Sequence, residues 1–170
     1  MDLQEFKIKV LPAKQKLYRL AVFMLHDKEE AEDILQDVFL KLWINKHKLH
    51  AYTSIEAFAM TITKNLCLDR VKTSKRKRTV DVTGLEVGSG EATPYQQTEE
   101  ADSVSKVQGL LAALPEQQKL ILHLRDVEGL SFEEMEQITN LTVNNIRVIL
   151  SRARKSVRDG FLKLENYEVG

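Results

Sequence analysis

The sequence predicts an all-α protein: two small helical domains, residues 1–78 and 102–170, joined by a flexible acidic linker over 79–101. Three observations carry that expectation. Apolar residues recur at i, i+3, i+4 and i+7 in several stretches, which is the period of an amphipathic helix. Only 3 prolines stand in 170 residues, so few helices are interrupted. Residues 79–98 lose the periodicity and hold Gly84, Gly88, Gly90 and Pro94 among several Ser and Thr, a linker composition.

Hydrophobic residues make up 43% of the chain and charged residues 29%, the balance of a soluble globular protein. No apolar run reaches membrane-spanning length, and Met1-Asp2-Leu3-Gln4-Glu5 is no signal peptide, so no membrane insertion is expected. A single cysteine, Cys67, excludes an internal disulfide framework and fits a reducing cytoplasm.

The formal net charge of zero argues against a general nucleic-acid binder, but charge is sorted into blocks of alternating sign. Residues 27–37 hold Asp27, Glu29, Glu30, Glu32, Asp33 and Asp37 against Lys28. Residues 64–78 hold Lys64, Arg70, Lys72, Lys75, Arg76, Lys77 and Arg78 against Asp69. Residues 79–105 carry six acids and no base, and residues 146–158 carry Arg147, Arg152, Arg154, Lys155 and Arg158 and no acid. Such sorting suggests several different partners on one chain.

Taken in order, residues 3–11 and 13–26 read as two short helices punctuated by Pro12. Asp27 suits the N-cap of the next helix, which runs to about Asn45. Its core face is Ala31, Ile34, Leu35, Val38, Phe39, Leu42 and Trp43; Asp33, Gln36, Asp37, Leu40 and Ile44 share the opposite sector. A purely solvated face rarely places two large aliphatics among carboxylates, so an outward partner is expected there. A polar loop over 46–53 follows. Ser54 then caps a helix from Ile55 to about Thr73, with Ile55, Phe58, Ala59, Ile62 and Leu66 as its core stripe. Asn65, Asp69 and Arg70 flank that stripe, and the basic run Lys72, Lys75, Arg76, Lys77, Arg78 is a candidate phosphate patch.

Beyond the linker a helix starts near Asp102, and Pro115 opens another that runs to about Val127 and is stopped by Gly129. Ser131 and Glu134 form a capping box for a short helix ending near Thr139. Asn140 suits a left-handed turn, and Thr142 caps the last helix. That helix should bury Ile146, Ile149, Leu150 and Ala153 and present Asn144, Asn145, Arg147, Arg152, Arg154 and Lys155. A short helix, a tight turn and a longer basic helix follow the logic of a helix-turn-helix.

Three stretches together resemble one family. Glu30 to Trp43 is similar to region 2.2 of bacterial sigma factors. Phe58 to Arg78, with Asn65, Asp69 and the basic run, is similar to regions 2.3 and 2.4, and Ala113 to Lys155 is similar to region 4. A domain 2, a linker and a domain 4, with neither domain 1.1 nor domain 3, is the layout of the extracytoplasmic-function (ECF) sigma factors. The resemblance implies that residues 1–78 form a sigma domain 2 bundle and residues 102–170 a sigma domain 4 helix-turn-helix. It implies core RNA polymerase as partner, through the beta-prime clamp helices and the beta subunit, with Asp33, Gln36, Asp37, Leu40 and Ile44 at the contact. Promoter DNA is the second implied partner. At the −10 element Leu49, Phe58, Ile62 and Asn65 would hold an unstacked base, with Asp69, Arg70, Lys72, Lys75, Arg76, Lys77 and Arg78 nearby on the strand. At the −35 element Thr142, Asn144, Asn145, Arg147, Ser151, Arg152, Arg154 and Lys155 would enter the major groove. The acidic linker resembles the segment that threads the polymerase's RNA-exit channel, and an anti-sigma factor is a further implied partner. Other members often carry an aromatic residue where this chain has Leu49, so the resemblance assigns no base identity.

Competing classes are less well supported by the residues. The chain has no Glu-x-x-His pair, glycine-rich phosphate loop or Ser/His/Asp arrangement, and neither cofactor nor metal is expected. A two-domain helix-turn-helix regulator shares the C-terminal half but leaves the Asp33-to-Ile44 face and the basic run beside Asn65 unused.

Overall fold

Several of the helices begin where the sequence offers a capping side chain, among them Asp2, Asp27, Ser54 and Thr142. The structure, a computed structural model, describes residues 1–80 and 99–169, with side chains described for 1–77 and 102–167. Residues 81–98, the heart of the expected linker, and the side chain of Arg78 lie outside the described residues. The helices are α1 (Leu3–Lys9), α2 (Lys14–Leu25), α3 (Lys28–Ile44), α4 (Ile55–Val80), α5 (Glu99–Ala112), α6 (Glu116–Leu122), α7 (Phe132–Thr139) and α8 (Val143–Val169), and no strand occurs among the described residues.

The described residues divide into two compact units. One holds α1 to α4 together with Glu133–Asn140, which is most of α7; the other holds α5, α6 and α8.

In the first unit, Asp2 caps α1 by accepting from the Glu5 N–H at 2.8 Å, and Pro12 sits in a 3₁₀ turn before α2. His26 ends α2 in the left-handed conformation (φ 55°). Asp27 then caps α3, its carboxylate accepting from the Glu29 and Glu30 N–H groups at 2.9 and 3.1 Å. The inner face of α3, with Ala31, Ile34, Leu35, Val38 and Leu42, is buried where α3 packs on α2 and α4. Phe39 and Trp43 are half-buried at its margin. Trp43 meets the buried Phe6 edge-on, with ring centroids 5.1 Å apart, which seats α1 against the end of α3.

The segment after α3 is a 3₁₀ helix, Lys46–Ala51, rather than a polar loop, because Leu49 anchors it in the core with no exposed surface. Helix α4 does not stop near Thr73 but continues to Val80. No Gly or Pro interrupts it, Lys and Arg are good helix formers, and the Thr73 hydroxyl donates to the Asp69 carbonyl at 2.9 Å.

The core stripe of α4 is also displaced from the one expected. Its buried residues are Ala57, Ala59, Met60, Thr63 and Cys67, whereas Ile55, Phe58, Ile62 and Leu66 are only half-buried. Small side chains let α4 approach α2 and α3 closely, and the Thr63 hydroxyl is satisfied by the Ala59 carbonyl at 2.8 Å. On another side of α4, Lys64 Nζ donates to the Ile138 carbonyl at 2.6 Å, and burial holds its pKa below the usual lysine range.

In the second unit, α8 packs on α6 and α5 around Leu114, Ile121, Leu124, Ile146, Leu150 and Ala153. Helix α6 was expected to run on to Val127 as a regular helix. It instead widens into a π-turn at His123–Val127, closed by the Glu128 N–H on the His123 carbonyl at 3.0 Å. The same two residues pair through their buried side chains, His123 Nε2 lying 3.3 Å from Glu128 Oε1. Gly129 follows with φ 69°, a conformation that costs glycine little. Asn140 is left-handed at φ 59°, and the Thr142 hydroxyl accepts from the Asn145 N–H at 3.2 Å to start α8.

Two measurements check this packing. Leu42→Ala should lower the stability of the first unit by roughly 2–5 kcal/mol, and Leu40→Ala, on the exposed face, by about 0.5 kcal/mol or less. Urea unfolding followed by the fluorescence of Trp43, the single tryptophan of the chain, reads that unit directly. Burial also raises the Cys67 thiol pKa from 9.0 to about 12. Alkylation of the folded protein at mildly alkaline pH should therefore be slower than that of the urea-unfolded chain by a factor of about 100 or more.

Candidate protein and nucleic-acid interfaces

Burying one side of α3 forces its other side outward. Asp33, Gln36, Asp37, Leu40 and Ile44 are all exposed, and the two aliphatics remain 57% and 63% accessible. Hydrophobic residues that open to water contribute little to folding, and two of them on one face among carboxylates have the form of a contact surface: a small apolar anchor in an acidic strip. Asp33 also lies 3.9 Å from the Arg70 guanidinium of α4, so one acid of the strip faces a cation of the neighbouring helix. At such exposure the pair is worth little in stability.

The displaced core of α4 creates a second surface. Phe58, Ile62, Asn65, Asp69, Lys72 and Arg76 are spaced alternately four and three residues apart, so they share one side of the helix, away from Met60, Thr63 and Cys67. The stripe starts with two half-buried apolar residues, passes an exposed amide and a carboxylate, and ends among exposed Lys72, Lys75, Arg76 and Lys77. Its order is apolar, then hydrogen-bonding, then cationic. Flat apolar surface can take a base, an amide can read a base edge, and the cations can hold backbone phosphates.

Of the residues expected around an unstacked base, Phe58, Ile62 and Asn65 are brought together on this face. Leu49 is not: it is wholly buried and belongs to the core. An aromatic residue absent from the expected set stands there instead. The Tyr52 ring stacks on Phe58 with centroids 4.0 Å apart and planes 15° from parallel, and both rings are half-buried. No helical period links Tyr52 to Phe58 across the start of α4, so the pair is invisible to pattern reading.

The third surface is the beginning of α8. Thr142, Asn144, Asn145, Arg147, Ser151, Arg152 and Lys155 are exposed, while Ile146, Leu150 and Ala153 face inward. Two cations are already engaged within the unit. The Arg147 guanidinium lies 5.1 Å from the Phe132 ring centroid, with Arg125 over the same ring at 4.3 Å. Arg154 donates through Nε and Nη2 to both carboxylate oxygens of Asp126, and this pairing raises its pKa further. Arg125, Asp126 and Phe132 were not anticipated; Asp126 and Arg154 are 28 residues apart, and only folding joins them.

Among the described residues no group of three or more His, Cys, Asp or Glu side chains is placed to hold a metal ion. No helix among them is long and apolar enough to cross a membrane.

Comparison with known proteins also finds two parts. Residues 12–77 match the family model for sigma-70 region 2, and residues 105–157 match the model for sigma-70 region 4, together more than two-thirds of the chain. The ECF RNA polymerase sigma factor SigM of Bacillus subtilis (strain 168) is 26% identical over 144 residues, which is 84% of this chain and 86% of that protein. The ECF RNA polymerase sigma factor SigW of the same organism is 26% identical over 157 residues, 85% of this chain and 82% of that protein. In fold, the chain is similar to the sigma factor RpoE of Bartonella quintana, solved in complex with the anti-sigma factor NepR, at a TM-score of 0.73 and 22% identity over 95% of this chain and 98% of that one. With both regions matched in their order and relatives of one type matched over most of their length, the chain belongs to the sigma-70 family of RNA polymerase sigma factors, in its extracytoplasmic-function branch.

Proposed function

We propose that this chain is a dissociable promoter-specificity subunit: it binds core RNA polymerase, directs it to promoters, and supports melting of the −10 element and transcription initiation. The observation that carries the reading is the α3 strip, where Leu40 and Ile44 stand exposed among Asp33, Gln36 and Asp37. A DNA-binding regulator working alone has no use for it. The strip suits a cationic partner with an apolar patch, as the family's beta-prime clamp helices provide, and the second unit would meet the beta subunit. Residues 1–78 act as domain 2, residues 102–170 as domain 4, and residues 79–101 connect them. The reading makes the protein a non-enzymatic component of the bacterial cytoplasm. An anti-sigma factor would compete for the same surfaces, and the complex of RpoE with NepR supports this partner class by analogy.

The side-chain geometry supports a division of labour on the DNA. On α4, Asn65 reads a base edge in the melted −10 strand, while Lys72, Lys75, Arg76 and Lys77 neutralise phosphates; Arg70, Asp69 and Arg78 flank them. On α8, Asn144, Asn145 and Arg147 lie in the first turns, where a recognition helix reaches base edges. Arg147 arrives preoriented by its contact with Phe132. In this reading Thr142, Ser151, Arg152 and Lys155 make backbone contacts, and Arg154 acts through Asp126 to hold the unit together.

Two experiments test this. Asp37→Arg should keep the melting temperature and the −35 duplex binding of the chain but lose capture of core polymerase and promoter-directed transcription, because charge reversal adds repulsion at the interface. Retained transcription by the folded variant would overturn the assignment of the α3 strip. Arg147→Ala should relax selectivity at one or two −35 base pairs, a loss of roughly 1–3 kcal/mol of discrimination, whereas Arg152→Ala should weaken all duplexes alike and flatten the salt dependence. Matching selectivity profiles for the two variants would refute the division.

A further inference from the structure

We propose that Tyr52 is the stacking residue for one unstacked base of the melted strand, with Phe58 behind it as the second layer of a two-ring platform. This rests on the −10 reading above and adds to it a residue outside the expected set. The two rings are nearly parallel, 15° apart at a centroid separation of 4.0 Å, and Tyr52, though half-buried, keeps part of its surface accessible. A side chain needed only to close the core would be buried as its neighbour Leu49 is, with no accessible surface.

The backbone around Tyr52 is held on both sides. Its N–H donates to the Leu49 carbonyl at 3.2 Å, and two residues on the Ser54 hydroxyl accepts from the Ala57 N–H at 3.1 Å to start α4. The ring is therefore pre-positioned, and a base stacking on it loses little protein entropy. Glu56, the nearest carboxylate in sequence, is paired with Lys16 at 2.9 Å, which lessens repulsion of a nearby phosphate. From Phe58 the α4 face leads through Ile62 and Asn65 to Lys72 and Arg76. An aromatic platform at one end and cations at the other is how single strands are held: the rings take a base face and the cations take the backbone. In duplex DNA both faces of each base are already stacked, so such a platform engages only a base that has left the helix. Stacking tolerates any base, which assigns Tyr52 to capture and leaves edge-reading to Asn65.

The test is a double-mutant cycle on the holoenzyme, made from the full chain and core polymerase. Its probe is the single strand that this holoenzyme selects from a randomised DNA pool. One arm replaces Tyr52; the other replaces each base in turn by an abasic site. Tyr52→Leu, which keeps apolar cover over the core, should weaken binding of the intact strand roughly tenfold, while Tyr52→Phe should bind like the parent. At one position the abasic strand should cost the parent about as much, and Tyr52→Leu should lose nothing further on it. Core-polymerase capture, −35 duplex binding and melting temperature should be unchanged in both variants. Parent-like binding by Tyr52→Leu, or effects that simply add at every position, would overturn the stacking role while leaving the −10 reading intact. Tyr52→Leu losing melting temperature together with strand affinity would make Tyr52 a structural residue and overturn it too. Failure of the parent holoenzyme to select any strand would overturn the −10 reading itself, and this inference with it.

Discussion

Everything on the surface of the first unit depends on one packing constraint: α3 and α4 must both bury a face against α2. Ala31, Ile34, Leu35, Val38 and Leu42 point inward from α3, and Ala59, Met60, Thr63 and Cys67 point inward from α4. Once those rotations are set, helical geometry leaves no freedom in where Asp37, Leu40, Phe58 or Asn65 project. The candidate contact surfaces are the remainders of core packing. Each buried leucine or isoleucine is worth roughly 1.5–3 kcal/mol, far more than any exposed contact on the same helices, so the core sets the rotation and function uses the rest.

The side chains on α4 show how core size becomes surface chemistry. Alanine, threonine and cysteine fill a tight helix–helix contact, which the bulk of Phe58 and Ile62 would hold open. Those larger residues are displaced toward solvent, where partial exposure is tolerable because Tyr52 covers one ring face. Apolar surface is thereby kept accessible next to Asn65 without the cost of a fully solvated aromatic patch.

Electrostatics work at shorter range than the zero net charge suggests. Acid and base are sorted into blocks along the chain, so a cationic protein surface and a phosphate backbone can be met by the same molecule. Next to the candidate surfaces, some of the signs are joined within the chain. Asp33 of the α3 strip lies 3.9 Å from Arg70, and Asp126 clamps Arg154 through both carboxylate oxygens. The first contact is long and exposed; the second has bidentate geometry and links the end of α6 to the middle of α8.

Local chemistry was legible in the sequence wherever a single residue or a short period decides it. The caps at Asp27 and Thr142, the left-handed Asn140, the glycine turn at Gly129 and both faces of α3 follow from propensity and periodicity. So does the family, because its motifs lie in continuous stretches. Periodicity could not decide the rotation of α4. A stripe through Phe58 and Ile62 outweighs one through Ala59, Thr63 and Cys67 in hydropathy, yet close packing against two helices favours the smaller residues. Nor could it reveal contacts between distant or aperiodic residues: Tyr52 on Phe58, Arg154 on Asp126, Arg147 beside Phe132, or His123 on Glu128 within a π-turn. Sequence determined which α-helices form and which way α3 faces, because those depend on local free energies. Tertiary structure decided which side of α4 meets solvent and which cations remain available, because those depend on how closely other helices can approach.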